Sequence, residues 1–412
     1  MQLNVLSKNS VRVRMFHDFD TLKIIGRKNS LFEEEESKYK ELISREIEAT
    51  SFLIIGGAGS IGRSVVKELI KLKAKQVHVV DINENNLTEL IREIRSSDID
   101  VRTDLKTYVL DVGSPEFYNF FNSNSPYDFV FNLSALKHVR SEKDPYTLMR
   151  MMRVNILNVE FLTELLPQRG SKRFFSVSTD KAVKPVNLMG ASKRVMELLL
   201  ISKMDHLRVS SARFVNVAFS EGSLLWGFLR RIEKDQPIAV PKEIKRYFIT
   251  LDESALFCIL TAILAESGEI FTMKLDKLRP VSLVDIAVRL LEFYGFEPFF
   301  TEDEKEAKSK VRELIKAKKW PIYLSPPDTT GEKELEELYS ESEKVDHQRF
   351  KNLSVVLPDK SYADSISPQI IQGLKSLIER KNWTREEIID LFKTYLPEFN
   401  HLDTGKFLDE RM

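Results

Sequence analysis

What is scarce in this chain already narrows it. Across 412 residues there is one cysteine, Cys258, so no internal disulfide can form, and its apolar surroundings make it a small buried hydrophobe. No uncharged window reaches the roughly 18 residues of a membrane-crossing helix, and the N-terminus lacks the apolar stretch of a secretory signal. The expectation is a cytoplasmic protein without a membrane span. Net charge is absent too: 62 basic residues stand against 62 acidic ones, leaving no overall field for nucleic acid or an anionic membrane, only local basic pockets. There is no internal repeat or low-complexity tract, and no metal is called for. A composition of 42% hydrophobic and 30% charged residues is that of a soluble globular chain, long enough for two domains or one enlarged one.

Among what is present, the clearest local pattern opens at residue 51. An apolar run over 51–55, the form of a buried parallel strand, leads into Gly56-Gly57-Ala58-Gly59-Ser60-Ile61-Gly62 and an amphipathic helix to about residue 72. Strand, glycine turn and helix are the context of a dinucleotide fingerprint. The glycines permit a tight backbone, let a pyrophosphate approach the main chain, and set it at a helix N-terminus that attracts anions. Gly56, Gly59, Ser60, Ile61 and Gly62 are therefore cofactor-binding candidates. The next strand, 76–80, ends in Asp81, a carboxylate suited to an adenosine ribose diol and repulsive to a 2'-phosphate, which favours NAD over NADP. Capping of the helix that begins near Asn83 is its structural alternative.

The alternation continues with strands over 107–110, 129–132, 172–177 and 208–214, and helices over 116–122, 144–166 and 191–204. Strands separated by helices imply a doubly wound parallel sheet, an α/β Rossmann fold. Asn83, Asp111 and Val112, at strand ends, complete the adenosine side of the expected cofactor site, and Asn155 is a further candidate. After the fourth strand, Ser134 and Ala135 are small enough for a nicotinamide ribose to lie close, while Lys137 and His138 bring polar groups into the same crevice. His138 is also readable as a satisfied structural histidine.

Chemistry concentrates in Ser178-Thr179-Asp180-Lys181, where an apolar run meets a loop, the place open α/β sheets keep their reactive groups. Met189 and Lys193 follow, four apart at the start of a helix-prone segment and so on one helical face. A solvated turn is the structural alternative for Asp180 and Lys181.

Residues 51–340 resemble the extended short-chain dehydrogenase/reductase superfamily, and within it the nucleotide-sugar 4,6-dehydratases acting on UDP-N-acetylglucosamine, the CapD-like polysaccharide-biosynthesis group. The motifs that carry this are the glycine turn at 56–62, Ala135-Leu-Lys-His-Val139 with Glu142 and Pro145, Ser178-Thr-Asp-Lys-Ala-Val183 and Pro185. Asn187-Leu-Met-Gly-Ala-Ser-Lys193, Arg213-Phe-Val-Asn216, Arg246-Tyr-Phe-Ile-Thr250 and Gly331-Glu-Lys333 continue the set. Ile25-Gly26-Arg27 resembles the linker that precedes this domain in membrane-anchored relatives, yet the sequence shows no membrane helix, and a free-standing form is expected.

The resemblance implies an NAD-binding domain over 49–216 after an N-terminal arm (1–48), a mixed α/β substrate region over 217–357 with returns to the core, and a helical C-terminal extension (358–412). It implies a nucleotide-sugar substrate, tightly held NAD and a homo-oligomer. In the implied reaction a hydride leaves C4, the C5 proton is removed, water departs from C6, and the hydride returns to C6. Lys181 is then the base at C5, Asp180 the acid at C6 and Thr179 the substrate-orienting group, roles that ask for an Asp180 that keeps its proton and a Lys181 able to lose one. Asn216, Ser223 and Arg246 fall in the substrate segment, and the forked guanidinium of Arg246 suits a diphosphate; a surface salt bridge is its structural alternative.

Two departures matter. Most of the superfamily has Tyr-x-x-x-Lys where this chain has Met189-x-x-x-Lys193, and a thioether has no proton to exchange. A subgroup of the dehydratases resembles it in carrying methionine there, which leaves Asp180, or a water held by Thr179, to take the C4 hydroxyl proton, and leaves Lys193 to bind the nicotinamide ribose. Where relatives read Arg-Pro-Gly-Glu-Lys, this chain has Thr329-Thr330-Gly331-Glu332-Lys333, so GDP stands open beside UDP. A sugar-nucleotide epimerase and a non-catalytic dinucleotide sensor are the competing readings. Residues 302–319 read as a solvated helical insertion, and 364–380 and 385–395 as amphipathic helices, the second with a Thr384/Glu387 capping box.

Overall fold

The computed structural model describes residues 19–124, 126–326 and 336–402. The motif at 329–333 lies outside the described residues, as do the first 18 residues of the N-terminal arm and residues 403–412 of the C-terminal extension.

Every residue of β1 (Ser51–Ile55) is buried, and its side chains alternate between two cores, Phe52 and Ile54 facing one and Leu53 and Ile55 the other. That double burial is why the strand reads as an unbroken apolar run. β2 (Gln76–Asp81), β3 (Asp104–Val109), β4 (Phe129–Asn132), β5 (Arg173–Thr179), β6 (Arg208–Phe214) and β7 (Ile270–Met273) join it in parallel. β9 (Leu353–Val356) runs antiparallel to β7, and β8 (Val345–Asp346) antiparallel to β9. The strand order is β8-β9-β7-β6-β5-β4-β1-β2-β3. The reversal between β1 and β4 opens a crevice at their C-terminal ends, the topological switch point at which such sheets bind ligands.

The sheet is doubly wound. One face packs on Pro115–Asn124 and Leu188–Ser202; from the C-terminal extension Lys360–Glu379 packs over Leu188–Ser202, and Arg385–Tyr395 packs on Lys360–Glu379 and Pro145–Met152. The other packs on Glu33–Glu48, Ser60–Lys71 and Leu251–Leu264. Ile43 and Ile47 are the buried face of Glu33–Glu48, with Leu42 half-buried beside them. Ahead of that helix, Arg27 and the Leu31 amide both bond to the buried Glu253 carboxylate, which also closes the capping box of Leu251–Leu264. A third core, built around Leu224–Glu233, Leu283–Phe293 and a parallel sheet of Ile238–Pro241, Glu297–Thr301 and Lys319–Ser325, stands beside the switch point.

Sequence and structure differ where elements end. The long helix expected over 144–166 is interrupted by a π-helical turn at Arg153–Leu157 between Pro145–Met152 and Asn158–Gln168. The third strand begins three residues earlier than expected, β5 runs on to Thr179, and the following helix starts at Leu188, because the Asn187 side chain accepts from the Gly190 amide and caps it there. Among the described residues no helix is long and apolar enough to cross a membrane, and no group of His, Cys, Asp or Glu side chains is arranged to hold a metal. Cys258 is buried and free, and burial pushes its thiol far above the ordinary range.

Candidate active site

A cavity of about 560 Å³ lies over the C-terminal ends of β1, β4, β5 and β6 and is closed on its far side by the third core. Gly56, Gly59, Ser60, Ile61, Gly62, Ala135, Lys137, His138, Thr179, Asp180, Lys181, Met189, Lys193, Asn216, Ser223 and Arg246 all line it. The fold thus brings residues from five separate stretches of sequence to one place.

The glycine turn has two kinds of glycine. Gly56 has φ +74°, and a Cβ there would stand 2.6 Å from the Ser134 amide nitrogen; a Cβ on Gly62 would stand 2.4 Å from the Gly56 carbonyl. Those two serve close packing. Gly59, the N-cap of Ser60–Lys71, is different: a Cβ there would meet nothing nearer than the Gly56 carbonyl at 3.5 Å. Open space at a helix N-terminus fits the pyrophosphate of a dinucleotide.

Asp81 is half-buried at the end of β2, its carboxylate accepting from the Ala58 amide (3.0 Å) and the Asn83 amide (3.0 Å), so it braces the glycine turn. Asn83, not Asp81, caps Glu84–Arg95, accepting from the Asn86 amide. Asp81, Asn83, Asp111, Val112, Ser134 and Asn155 stand outside the cavity lining. Asp111 pairs with Arg150 at 3.0 Å, Val112 is buried in the core, and the Ser134 hydroxyl donates to Asn132. Asn155, presented by the π-helical turn, exchanges two hydrogen bonds with the Leu136 backbone and donates to Ser192, so its polar atoms clamp the 135–139 loop to the neighbouring helix.

The reactive groups sit at the end of β5. The Thr179 hydroxyl donates to Asp180 Oδ1 at 2.6 Å, and Lys181 Nζ lies 3.2 Å from the same oxygen. Asp180 is buried, so the solvated-turn alternative does not describe it. Lys181 departs from expectation. Burial alone lowers an ammonium's pKa, but the charges of Asp180 and Glu336 outweigh it and hold Lys181 above its ordinary value; the second of these carboxylates had no sign in the sequence. Gly190 lets the next helix abut this turn: a Cβ there would lie 2.1 Å from the Lys181 carbonyl oxygen. Met189 and Lys193 are both buried one turn apart. Lys193 Nζ donates to the Val177 carbonyl at 2.9 Å, and burial, opposed by Glu197, brings its pKa down to about 8. The Met189 amide donates to the buried Glu142 carboxylate at 2.9 Å.

On the opposite wall, Lys137 donates to the Glu221 carbonyl (2.8 Å), and burial depresses both Lys137 and His138. Ser223 caps Leu224–Glu233 by accepting from the Trp226 amide. Asn216 donates to the Tyr247 carbonyl and to Glu336, while Arg246 Nε lies 3.8 Å from Glu336. The Arg246 side chain is largely buried, which sets aside an exposed surface pair. Sequence reasoning missed Glu336 and the positioning roles of Glu142, Gly190 and Glu197. Glu142 and Gly190 stood within quoted motifs, but Glu336 had no signal beyond following Gly331-Glu-Lys333.

A doubly wound parallel sheet with a glycine turn at β1 and an Asp-Lys pair at the end of β5 defines a Rossmann-fold protein. The chain belongs to the polysaccharide biosynthesis protein family, whose model matches residues 52–358. It is 31% identical over 324 residues to an uncharacterized membrane protein of Methanocaldococcus jannaschii, covering 77% of this chain and 88% of that one. To the capsular polysaccharide biosynthesis protein CapD of Staphylococcus aureus it is 32% identical, over 62% of this chain but 42% of that relative's length. A UDP-N-acetylglucosamine 4,6-dehydratase (inverting) of Campylobacter jejuni is 27% identical over 57% of this chain and 69% of its own. Among solved structures, Pen from Bacillus thuringiensis superposes with a TM-score of 0.61 at 25% identity, covering 75% of this chain and 88% of that one.

Proposed function

We propose that this protein catalyses the NAD-dependent 4,6-dehydration of a nucleotide-activated N-acetylhexosamine, UDP-N-acetylglucosamine first, to the 4-keto-6-deoxy sugar nucleotide for surface-glycan synthesis. The observation that carries the reading is the pair of buried Asp180 and half-exposed Lys181 in the cavity wall beside Lys193 and Met189. An epimerase has no use for an acid and a base placed together, and a sensor has no use for the trio. The Campylobacter dehydratase among the relatives supports the same direction. Asp81 beside the glycine turn supports NAD over NADP, since its carboxylate would repel a 2'-phosphate.

Bound NAD would supply the oxidation at C4 that acidifies C5 and the reduction at C6 that completes the cycle. Lys181 takes the C5 proton, and Asp180 protonates the departing C6 hydroxyl. Transfer of one proton across their 3.2 Å hydrogen bond turns the resting ion pair into the neutral amine and carboxylic acid those steps require. Thr179 orients Asp180. Met189 packs and exchanges no proton, and Asp180 is occupied by the Lys181 proton, so the C4 hydroxyl proton goes to a water held by Thr179 and replaces the proton that Lys181 later returns to C5. Lys193, fixed to the Val177 carbonyl, keeps positive charge at the nicotinamide ribose. Asn216 and Arg246 hold the diphosphate.

The test is incubation of the purified protein with UDP-N-acetylglucosamine and, separately, GDP-N-acetylglucosamine, followed by mass and by proton NMR in deuterated water. Loss of one water and a new C6 methyl signal is the expected result and identifies the nucleotide. No water loss from either, even with added NAD, overturns the proposal.

A further inference from the structure

The proposed reaction assigns no part to the C-terminal extension, yet that extension is fastened to the loop and helix that carry Met189 and Lys193. The amides of Asn400 and Leu402 donate to the carbonyls of Pro185 (3.0 Å) and Val186 (2.9 Å), so residues 400–402 run alongside the loop 183–187. Val186 and Asn187 line the cavity, and Asn187 caps Leu188–Ser202. Lys184, in the same loop, has φ +42°, a strained conformation for a residue with a side chain, which persists only where its surroundings hold it.

Further contacts reach the helix itself. Glu398 accepts from Arg194 Nε at 2.9 Å. Glu142 is 1% exposed; one carboxylate oxygen accepts the Met189 amide, and the other stands 3.5 Å from His401 Nε2. Its main-chain carbonyl accepts from Arg385 Nε at 2.6 Å, and Trp383 Nε1 seats the same turn by donating to the Pro145 carbonyl at 2.9 Å. The extension thus reaches Glu142 through both its main chain and its side chain. Glu142 in turn holds an N–H of the helix's first turn, one of those for which the helix has no carbonyl of its own. On the inner side Gly190 abuts the Lys181 carbonyl with no room for a Cβ, so a shift of this loop or turn moves Met189 and Lys193 relative to Asp180 and Lys181.

Resting on the dehydratase reading, we propose that residues 398–402 form a positioning strap. By holding the loop 183–187 and the start of Leu188–Ser202 from outside, they fix Met189 and Lys193 at the distance from Asp180 and Lys181 that the reaction requires. None of residues 398–402 lines the cavity; the strap acts through the groups that do. Asn216 and Arg246, to which the diphosphate is assigned, stand on the opposite wall, so the strap governs turnover and leaves nucleotide-sugar binding alone.

The test compares two changes at one exposed residue. Leu402→Pro deletes the amide that donates to Val186, whereas Leu402→Ala keeps it. Leu402→Pro is expected to lose water from the substrate roughly ten- to a hundred-fold more slowly at saturation, with KM within about two-fold of the wild type. Leu402→Ala should restore kcat. Lys375→Ala, which cuts the extension's 2.7 Å contact with Glu160 away from the strap, should also turn over as the wild type does. Equal kcat in the proline and alanine variants, a change confined to KM, or an equal loss in Lys375→Ala overturns the proposal. Hydrogen exchange in the substrate-free protein decides the strap even if the wild type loses no water, in which case the dehydratase reading fails by itself. Amides over 185–193 should exchange at least about ten-fold faster in Leu402→Pro than in Leu402→Ala, while those of β1 and β4 stay protected. Equal exchange over 185–193 overturns the strap, and protection retained in β1 and β4 excludes general unfolding as the cause.

Discussion

At Met189 a thioether stands where a proton donor would be expected, and the side chain is buried against the core. Truncation to alanine should therefore cost packing and little chemistry: Met189→Ala is expected to lose about 2–4 kcal/mol in chemical denaturation while turnover per folded molecule stays within about ten-fold. A folded Met189→Ala without turnover would give the sulfur a part in the reaction. Lys193, four residues on, should govern the alkaline side. Its pKa is depressed to about 8, so the charge is full below that value and lost above it. NAD affinity should fall as pH rises through about 8, and Lys193→Met should bind NAD weakly without that pH dependence, as read by titration calorimetry.

The elements decide how closely these groups approach. Gly190 opens the helix Leu188–Ser202 and has no room for a side chain against the Lys181 carbonyl. In Gly190→Ala the helix and the Asp180–Lys181 turn must separate, and misplacement on the order of 1 Å costs about a hundred-fold in rate; steady-state turnover beside a melting curve checks this. Gly59→Ser should do the reverse. Serine is a good N-cap and the space beyond Gly59 is open, so the substrate-free protein should melt as the wild type does, while stabilisation by added NAD disappears. Boundaries of this kind were the least legible part of the sequence. The apolar runs and glycine turn marked the existence of β1, β4 and β5. That Thr179 belongs to the strand and Leu188 to the helix depends on sheet pairing with Phe214 and on the Asn187 cap, contacts between residues far apart or at right angles to the pattern.

Across the whole molecule, a buried ion network ties the site to the C-terminal part of the chain. Arg213, fully buried, bonds both Glu197 and Glu343; Arg194 bonds Glu197, Glu343 and Glu398; and the Ser178 hydroxyl donates to Glu197 immediately before Thr179. Burial would raise Glu343, but Arg213 and Arg194 outweigh it and lower it from 4.5 to about 2. A carboxylate depressed in the folded state contributes stability that is complete above about 4.5 and lost as pH falls toward 2, on the order of 3 kcal/mol here. Glu343→Gln should therefore be less stable at pH 7 by at least about that amount and show a flatter stability profile between pH 4.5 and 2 in denaturant titrations at stepped pH.

The sequence by itself determined the alternation of apolar strands with helices, the glycine turn, and the candidates Asp180, Lys181 and Lys193. Strand burial, phosphate approach and helical spacing are local properties, written in consecutive residues. Tertiary structure alone decided that β7, β8 and β9 extend the sheet, that Asn155 serves a clamp, and that Glu336 joins Asp180 in holding Lys181 charged. Those outcomes depend on which distant segments meet and on how much water their meeting excludes. A carboxylate's ionisation is fixed by its neighbours in space, and no spacing along the chain records them.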